Sequence, residues 1–271
     1  MHSRPWKNIK KSRKYMYIDK NKNRWYTYKP RSGEFTRISR GMLDTFLKCP
    51  RCFYLQKVLG VKAPHIPFNL NIAVDTLMKK EFDYYRNLQQ THPSIKKMGL
   101  EFIPYKHKDF FDWRGDEEGN YYGFGFEHAP TRIELCGKID DVWRDDNGTL
   151  YIVDYKAVAT SDSYKLTMEY KYNQGYKRQI EVYQWIFRQN GFNVSDTGYI
   201  VFVNAQTDPD YFDNKLEFLL SIEEVRGDCF WVEKELENIR ACIDKTSIPE
   251  SSQDCDICQY YNKRLMATNH K

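Results

Sequence analysis

The stretch "CGKIDDVWRDDNGTLYIVDYKA", residues 136–157, sets three acids and a lysine at the ends of two apolar runs. Leu150–Val153 runs into Asp154-Tyr155-Lys156, and an earlier run ends in Asp140-Asp141. Between them, Asp145-Asp146-Asn147-Gly148 is a turn signal. A two-residue Asn147-Gly148 turn sets Asp141 opposite Asp154. A three-residue loop with Gly148 left-handed pairs Asp145 with Thr149 and sets Asp140 opposite Asp154. Directly opposed residues hold their Cβ atoms about 4.5–5.5 Å apart, so two carboxylates converge in either register. Lys156, two positions on, shares the face of Asp154. Two carboxylates that close repel unless a cation lies between them. Mg²⁺ or Mn²⁺ suits the place, since Mg²⁺ is held by one or two carboxylates with waters and phosphate oxygens completing its shell. Such an ion stabilises charge on a phosphoryl oxygen and acidifies a water, and a nearby lysine positions that water or neutralises the transition state. The chemistry is phosphodiester hydrolysis. A surface hairpin whose lysine merely pairs with an acid is the plainer alternative. Against it stands the run Leu150–Val153, which predicts a central strand, where unpaired charge is costly.

The elements that must position these residues follow from periodicity and punctuation. Residues 15–18 and 24–28 predict a hairpin around Asp19–Asn23. Ser39 predicts a helix cap ahead of Met42, Leu43, Phe46 and Leu47, with Pro50 interrupting that helix. Ala63–Phe68 reads as a loop. Residues 69–88 predict an amphipathic helix carrying Ile72, Val74, Leu77, Met78, Phe82 and Tyr85 inward. Residues 101–130 read as irregular. Strands are predicted at 132–143, 149–157, 196–205 and 214–222, with helices at 168–190, closed by Gly191, and at 229–244. The order describes an α/β fold with a small mixed sheet.

The 271 residues include seven cysteines, an odd number, and no apolar stretch near membrane-spanning length. The expectation is a soluble, cytoplasmic chain without a disulfide framework. Two CxxC pairs, Cys49/Cys52 and Cys255/Cys258, together offer four thiolates, a set that suits Zn²⁺ or an iron–sulfur cluster. Cys242 is a substitute ligand, and Cys136 and Cys229 read as core. Charge is uneven: residues 1–40 hold 13 Lys/Arg against Asp19 and Glu34, net +11, and the remainder nets −6. A basic arm interleaved with Trp6, Tyr15, Tyr17, Trp25, Tyr26 and Tyr28 fits a single-stranded nucleic acid, or is a solvated tail.

Gly137-x-x-Asp140, a turn, then Asp154-Tyr155-Lys156 resembles the PD-(D/E)XK nuclease superfamily. "QIEVY", with Gln179 and Tyr183, an early Cys49-Pro50 and a late cysteine cluster resemble its RecB-type and CRISPR-associated branch. The resemblance spans roughly residues 38–261. It implies a restriction-endonuclease-like core with a small mixed central sheet flanked by helices. It further implies a divalent-metal-dependent deoxyribonuclease acting on single-stranded DNA or duplex ends. Asp140, Asp154 and the Tyr155 carbonyl would be metal ligands, Lys156 the water-positioning base, and Gln179 and Tyr183 supports of the site. It favours the three-residue loop, leaving Asp141 as runner-up. Where the branch has a helical histidine ligand, this chain has Asp75, with Glu81 a weaker candidate. The branch's [4Fe–4S] site has one early and three late cysteines; here the split is two and two. The implied organisation is a basic extension at 1–37, the nuclease domain with its terminal cysteine pairs at 38–261, and a tail at 262–271. The alternative is a nucleic-acid-binding protein of the same fold without cleavage.

Overall fold

The computed structural model describes residues 27–62, 68–115, 123–160 and 174–269. The expected hairpin at 15–28, most of the basic arm, most of the 63–68 loop and the start of the 168–190 helix lie outside them. In chain order the elements are β1 (Thr36–Ser39), α1 (Arg40–Lys48), α2 (Pro50–Lys57), α3 (Asn69–Leu88), α4 (Pro93–Lys97), β2 (Ile103–Pro104), α5 (Phe110–Arg114), β3 (Phe124–His128) and β4 (Ile133–Gly137). Then follow β5 (Asp141–Arg144), β6 (Leu150–Val158), α6 (Gln174–Gln189), β7 (Thr197–Ala205), β8 (Phe218–Arg226), α7 (Trp231–Ile243) and α8 (Asp256–Asn269).

The chain divides into two compact units. One comprises Met1–His65, Phe126–Leu135 and Trp231–Lys271. In it the Ser39 hydroxyl accepts from the Met42 amide at 3.1 Å, starting α1 as expected. The helix stops at Lys48; Cys49 is extended and Pro50 opens α2 at the position a helix tolerates proline. A half-buried Arg37–Glu134 pair at 3.0 Å joins β1 to β4. The helix α8 was not foreseen; its apolar residues Ile257, Tyr261 and Leu265 are exposed, so no burial pattern announces it.

The other unit, Ile66–Gly125 with Cys136–Phe230, holds a five-stranded sheet in the order β2-β5-β6-β7-β8. Only β6 and β7 run parallel, joined through α6 as parallel neighbours require; the other pairs are antiparallel. The small mixed sheet flanked by helices is the expected architecture, and β6 is its central strand. Alternation along β6 splits its residues between two faces. Val153 and Tyr155 pack with Val74, Met78 and Phe82 of α3, while Asp154 meets Gln179 of α6.

Several boundaries differ from the expectation. The single strand predicted at 132–143 is two, β4 and β5, in different sheets. Residues 138–140 between them give their backbone groups elsewhere: the Lys138 carbonyl accepts from Tyr183, the Ile139 amide donates to Trp113, and the Asp140 carbonyl accepts from Arg114. The 101–130 stretch contains β2, α5 and β3, short elements held by aromatic packing of Trp113 with Phe110, Phe124, Phe187 and Phe192. On α3 the inward face is Val74, Met78, Phe82 and Arg86, a strict four-residue spacing; Ile72 and Leu77 point outward. Strand β8 begins at Phe218, four residues later than predicted.

Candidate active site and cysteine cluster

The turn decides which acid faces Asp154. The β5–β6 register pairs Asp141 with Val153 and Arg144 with Leu150. Beyond it the Asp145 amide donates to the Thr149 carbonyl at 3.1 Å, and Gly148 takes φ +82°. This is the three-residue loop, with glycine at the left-handed position. It extends the ladder so that Asp140 falls opposite Asp154, and an Asp140 carboxylate oxygen accepts from the Tyr155 amide at 3.1 Å.

Asp141 points to the α3 face. It is fully buried, with Oδ1 accepting from Arg86 at 2.5 Å and from the Val142 amide at 2.6 Å, and Oδ2 from the Tyr155 hydroxyl at 2.5 Å. Arg86 lies over the Phe110 ring and also donates to the Tyr105 carbonyl. Asp141 is therefore committed to a structural network.

On the α6 face, Asp154 Oδ1 accepts from the Gln179 amide, and its Oδ2 pairs with the Lys156 ammonium. Lys156 reaches the Gln179 carbonyl at 3.4 Å and lies 5.1 Å from the Tyr176 ring centroid. Asp154 is 2% exposed, and its Oδ2 accepts no hydrogen bond of ordinary geometry. Burial pushes its carboxyl up, to about 7, with Asp140 adding and Lys156 opposing. Asp140 moves the other way: burial would raise it, but Lys79 and Lys156 together hold it below the usual range. Two neighbouring carboxylates, each held by a lysine ammonium, are an oxygen donor set that fits a hard divalent cation.

The remaining expected residues fall at varying distances from this pair. Asp75 approaches through a lysine: Lys79 stands 2.7 Å from Asp75 and 2.9 Å from Asp140. Glu81 turns away to His92 at 2.8 Å. The Tyr183 hydroxyl donates to the Lys138 carbonyl at 2.5 Å, propping the segment that leads to Asp140. Its ring explains the motif glycine, because a Cβ on Gly137 would stand 2.6 Å from the Tyr183 oxygen.

Sequence reasoning missed Lys79, Arg86 and Arg114. Lys79 carried a signal, four residues after Asp75 on one helical face. Arg86 also sat on the buried register of α3, four residues after Phe82. Arg114, which bonds Asp83 at 2.6 Å and the Asp140 carbonyl at 2.8 Å, lies in the 101–130 stretch, whose sequence carries no clear periodicity.

In the other unit Cys49, Cys52, Cys255 and Cys258 gather. Their four sulfurs all lie within 4.8 Å of one another. Cys242 is buried apart from them. Sulfur separations are 3.9 Å for Cys49–Cys258 and 3.6 Å for Cys52–Cys255 and Cys52–Cys258. Thiolates about 2.3 Å from one tetrahedral ion stand roughly 3.8 Å apart, so the spacing fits a single ion. Burial opposes ionising Cys49, yet the backbone amides of Cys52 and Ser252 bring its thiol down to about 7.

Residues 73–262 match the family model of the PD-(D/E)XK nuclease superfamily. No curated protein matches the chain. Among solved structures, the crystal structure of SSO0001 is similar over 82% of this chain and 82% of its own, at 13% identity and a TM-score of 0.35. That likeness is too loose to align individual residues. Among the described residues no helix is long and apolar enough to cross a membrane.

Proposed function

The chain belongs to the PD-(D/E)XK nuclease superfamily, whose members are generally metal-dependent nucleases, and from that premise we propose that it hydrolyses phosphodiester bonds in DNA. The observation that carries this reading is the convergence of Asp140, Asp154, Lys156 and Gln179 at the end of the β5–β6 ladder. Asp140 and Asp154 would hold Mg²⁺ or Mn²⁺, with the Tyr155 carbonyl as the third donor that the superfamily pattern implies. A divalent ion bound there supplies a Lewis acid for a phosphoryl oxygen and acidifies a nearby water.

The chain's own groups do the rest. Gln179 fixes Oδ1 of Asp154, whose Oδ2 pairs with Lys156. The Tyr155 amide fixes Oδ2 of Asp140, whose Oδ1 pairs with Lys79. Lys156, tied to both Asp154 and Gln179, orients the attacking water and offsets charge on the phosphorane-like transition state. Tyr183, through Lys138, keeps the peptide before Asp140 in place.

The finer assignment is to the RecB-type, CRISPR-associated branch, supported by Gln179-x-x-x-Tyr183 and the paired cysteines. The basic, aromatic arm before residue 40 then serves to hold single strands or duplex ends. The sulfur spacing supports one Zn²⁺ at the cysteines, tying residues about 200 positions apart and so closing a long loop.

The test is a nuclease assay on end-labelled single- and double-stranded DNA with Mg²⁺ or Mn²⁺. Wild-type protein is expected to cut at least one substrate, and Lys156→Ala to lose about 10²–10⁴-fold in rate while remaining folded. A wild-type chain that binds both substrates and cuts neither would be a binding protein of this fold, and the proposal would fail. So it would if Lys156→Ala cut at the wild-type rate.

A further inference from the structure

The carboxylate site contains a second lysine that the superfamily pattern does not call for. Lys79 projects from α3 one helical turn after Asp75, and its ammonium lies 2.7 Å from Asp75 and 2.9 Å from Asp140. Its side chain is three-quarters buried, and Met78 and Phe82 beside it are packed in the core. The ammonium is thus clamped between a carboxylate of α3 and one of the segment before β5, the position an ion bridging them would take. Two-ion phosphodiesterases set their ions about 3.5–4 Å apart between shared carboxylates.

Resting on the metal-site reading above, we infer that Lys79 is a resident cation in the second-ion position, so that this site loads one divalent ion, not two. Asp75 is then the counter-ion of Lys79 and not a metal ligand. The geometry agrees: Asp75 meets Asp140 through the Lys79 ammonium, which both carboxylates hold. Charge agrees as well. Ionised Asp75, Asp140 and Asp154 against Lys79 and Lys156 leave one negative charge. One divalent ion makes that one positive, and a scissile phosphodiester brings the site to neutrality. A second divalent ion beside Lys79 would leave two uncompensated positive charges in a largely buried site, where they are costly. Without Lys79, Asp75 and Asp140 would face each other without their shared counter-ion, and a second ion would leave one uncompensated positive charge where Lys79 makes it two.

The experiment counts Mn²⁺ bound to the full-length protein, by titration calorimetry and by the electron paramagnetic resonance of the bound ion. Mn²⁺ prefers oxygen donors, which keeps the count separate from the thiolates. Wild type should bind one Mn²⁺ per chain with the spectrum of an isolated ion. Lys79→Met, close in length and uncharged, should bind two, with the broadening of a coupled pair. Asp75→Asn should still bind one, which keeps the idea testable if Lys79→Met does not fold. Two ions in wild type, one in folded Lys79→Met, or none in Asp75→Asn would each overturn the inference. No Mn²⁺ in wild type would instead sink the metal-site reading beneath it.

Discussion

Adjacent aspartates 140 and 141 are chemically alike, and exchanging either for asparagine should produce opposite phenotypes. Asp141 is fully buried and accepts from three donors: Arg86, the Val142 amide and the Tyr155 hydroxyl. In Asp141→Asn one acceptor oxygen becomes an NH₂ group facing a donor, and the Arg86 guanidinium loses its buried counter-charge. Breaking such a pair from one side costs about 3–5 kcal/mol, a large share of the roughly 5–15 kcal/mol that holds a protein folded. The melting temperature should fall on the order of 10 °C. Asp140 is partly exposed, and in Asp140→Asn an amide oxygen can still accept from the Tyr155 amide. Its stability cost should be nearer 1 kcal/mol. The assay is thermal unfolding with and without Mn²⁺. An ion at 100 times its dissociation constant stabilises the native state by about 2.7 kcal/mol. Asp140→Asn should start near wild type and gain almost nothing from Mn²⁺. Asp141→Asn should start far lower and keep most of the gain. The reverse pattern would mean that Asp141 is the ligand and that the Gly148 turn does not set the site.

Three further outcomes follow from the geometry. Gly137→Ala drives a Cβ to 2.6 Å from the Tyr183 oxygen and 2.9 Å from its ring; it should cost about 1–3 kcal/mol, and Tyr183→Phe in the same chain should recover part of it in a double-mutant cycle. Strict additivity would show that the two residues do not meet. Elemental analysis of purified protein should find one zinc per chain, absent from Cys258→Ser, whereas stoichiometric iron with visible absorption would rule out the single-ion reading of the sulfur spacing. At high pH, Tyr199 matters: burial first, then Glu224 and Tyr151, push its hydroxyl up to about 12. Between its ordinary value and that one the folded chain keeps a proton the unfolded chain has lost, so stability falls as pH rises through the window. Tyr199→Phe should flatten the decline in urea midpoint, and an unchanged slope would dissociate Tyr199 from it.

What the sequence made legible is whatever one local rule controls. The Ser39 cap, the Pro50 break and the Gly191 helix end each depend on a single residue's backbone or hydroxyl, and each stands where expected. The central strand was readable because Leu150–Val153 is apolar on both faces. The break between β4 and β5 was not, because "IELCGKIDDVW" is apolar enough to run on as one strand. What stops it is Tyr183, Trp113 and Arg114, tens of residues away in sequence, each taking one backbone group of residues 138–140. The site divides in the same way. Asp154, Lys156 and Gln179 lie on elements whose periodicity fixes their faces, so their meeting could be anticipated. Choosing between Asp140 and Asp141 needed one φ angle, at Gly148, which sequence leaves open between two turns. Lys79 was hidden for a different reason: on a helix a lysine four residues from an aspartate is an ordinary surface pair. It becomes a site residue only because the segment leading into β5 delivers Asp140 to its other side, a fact of tertiary structure that helical spacing does not contain.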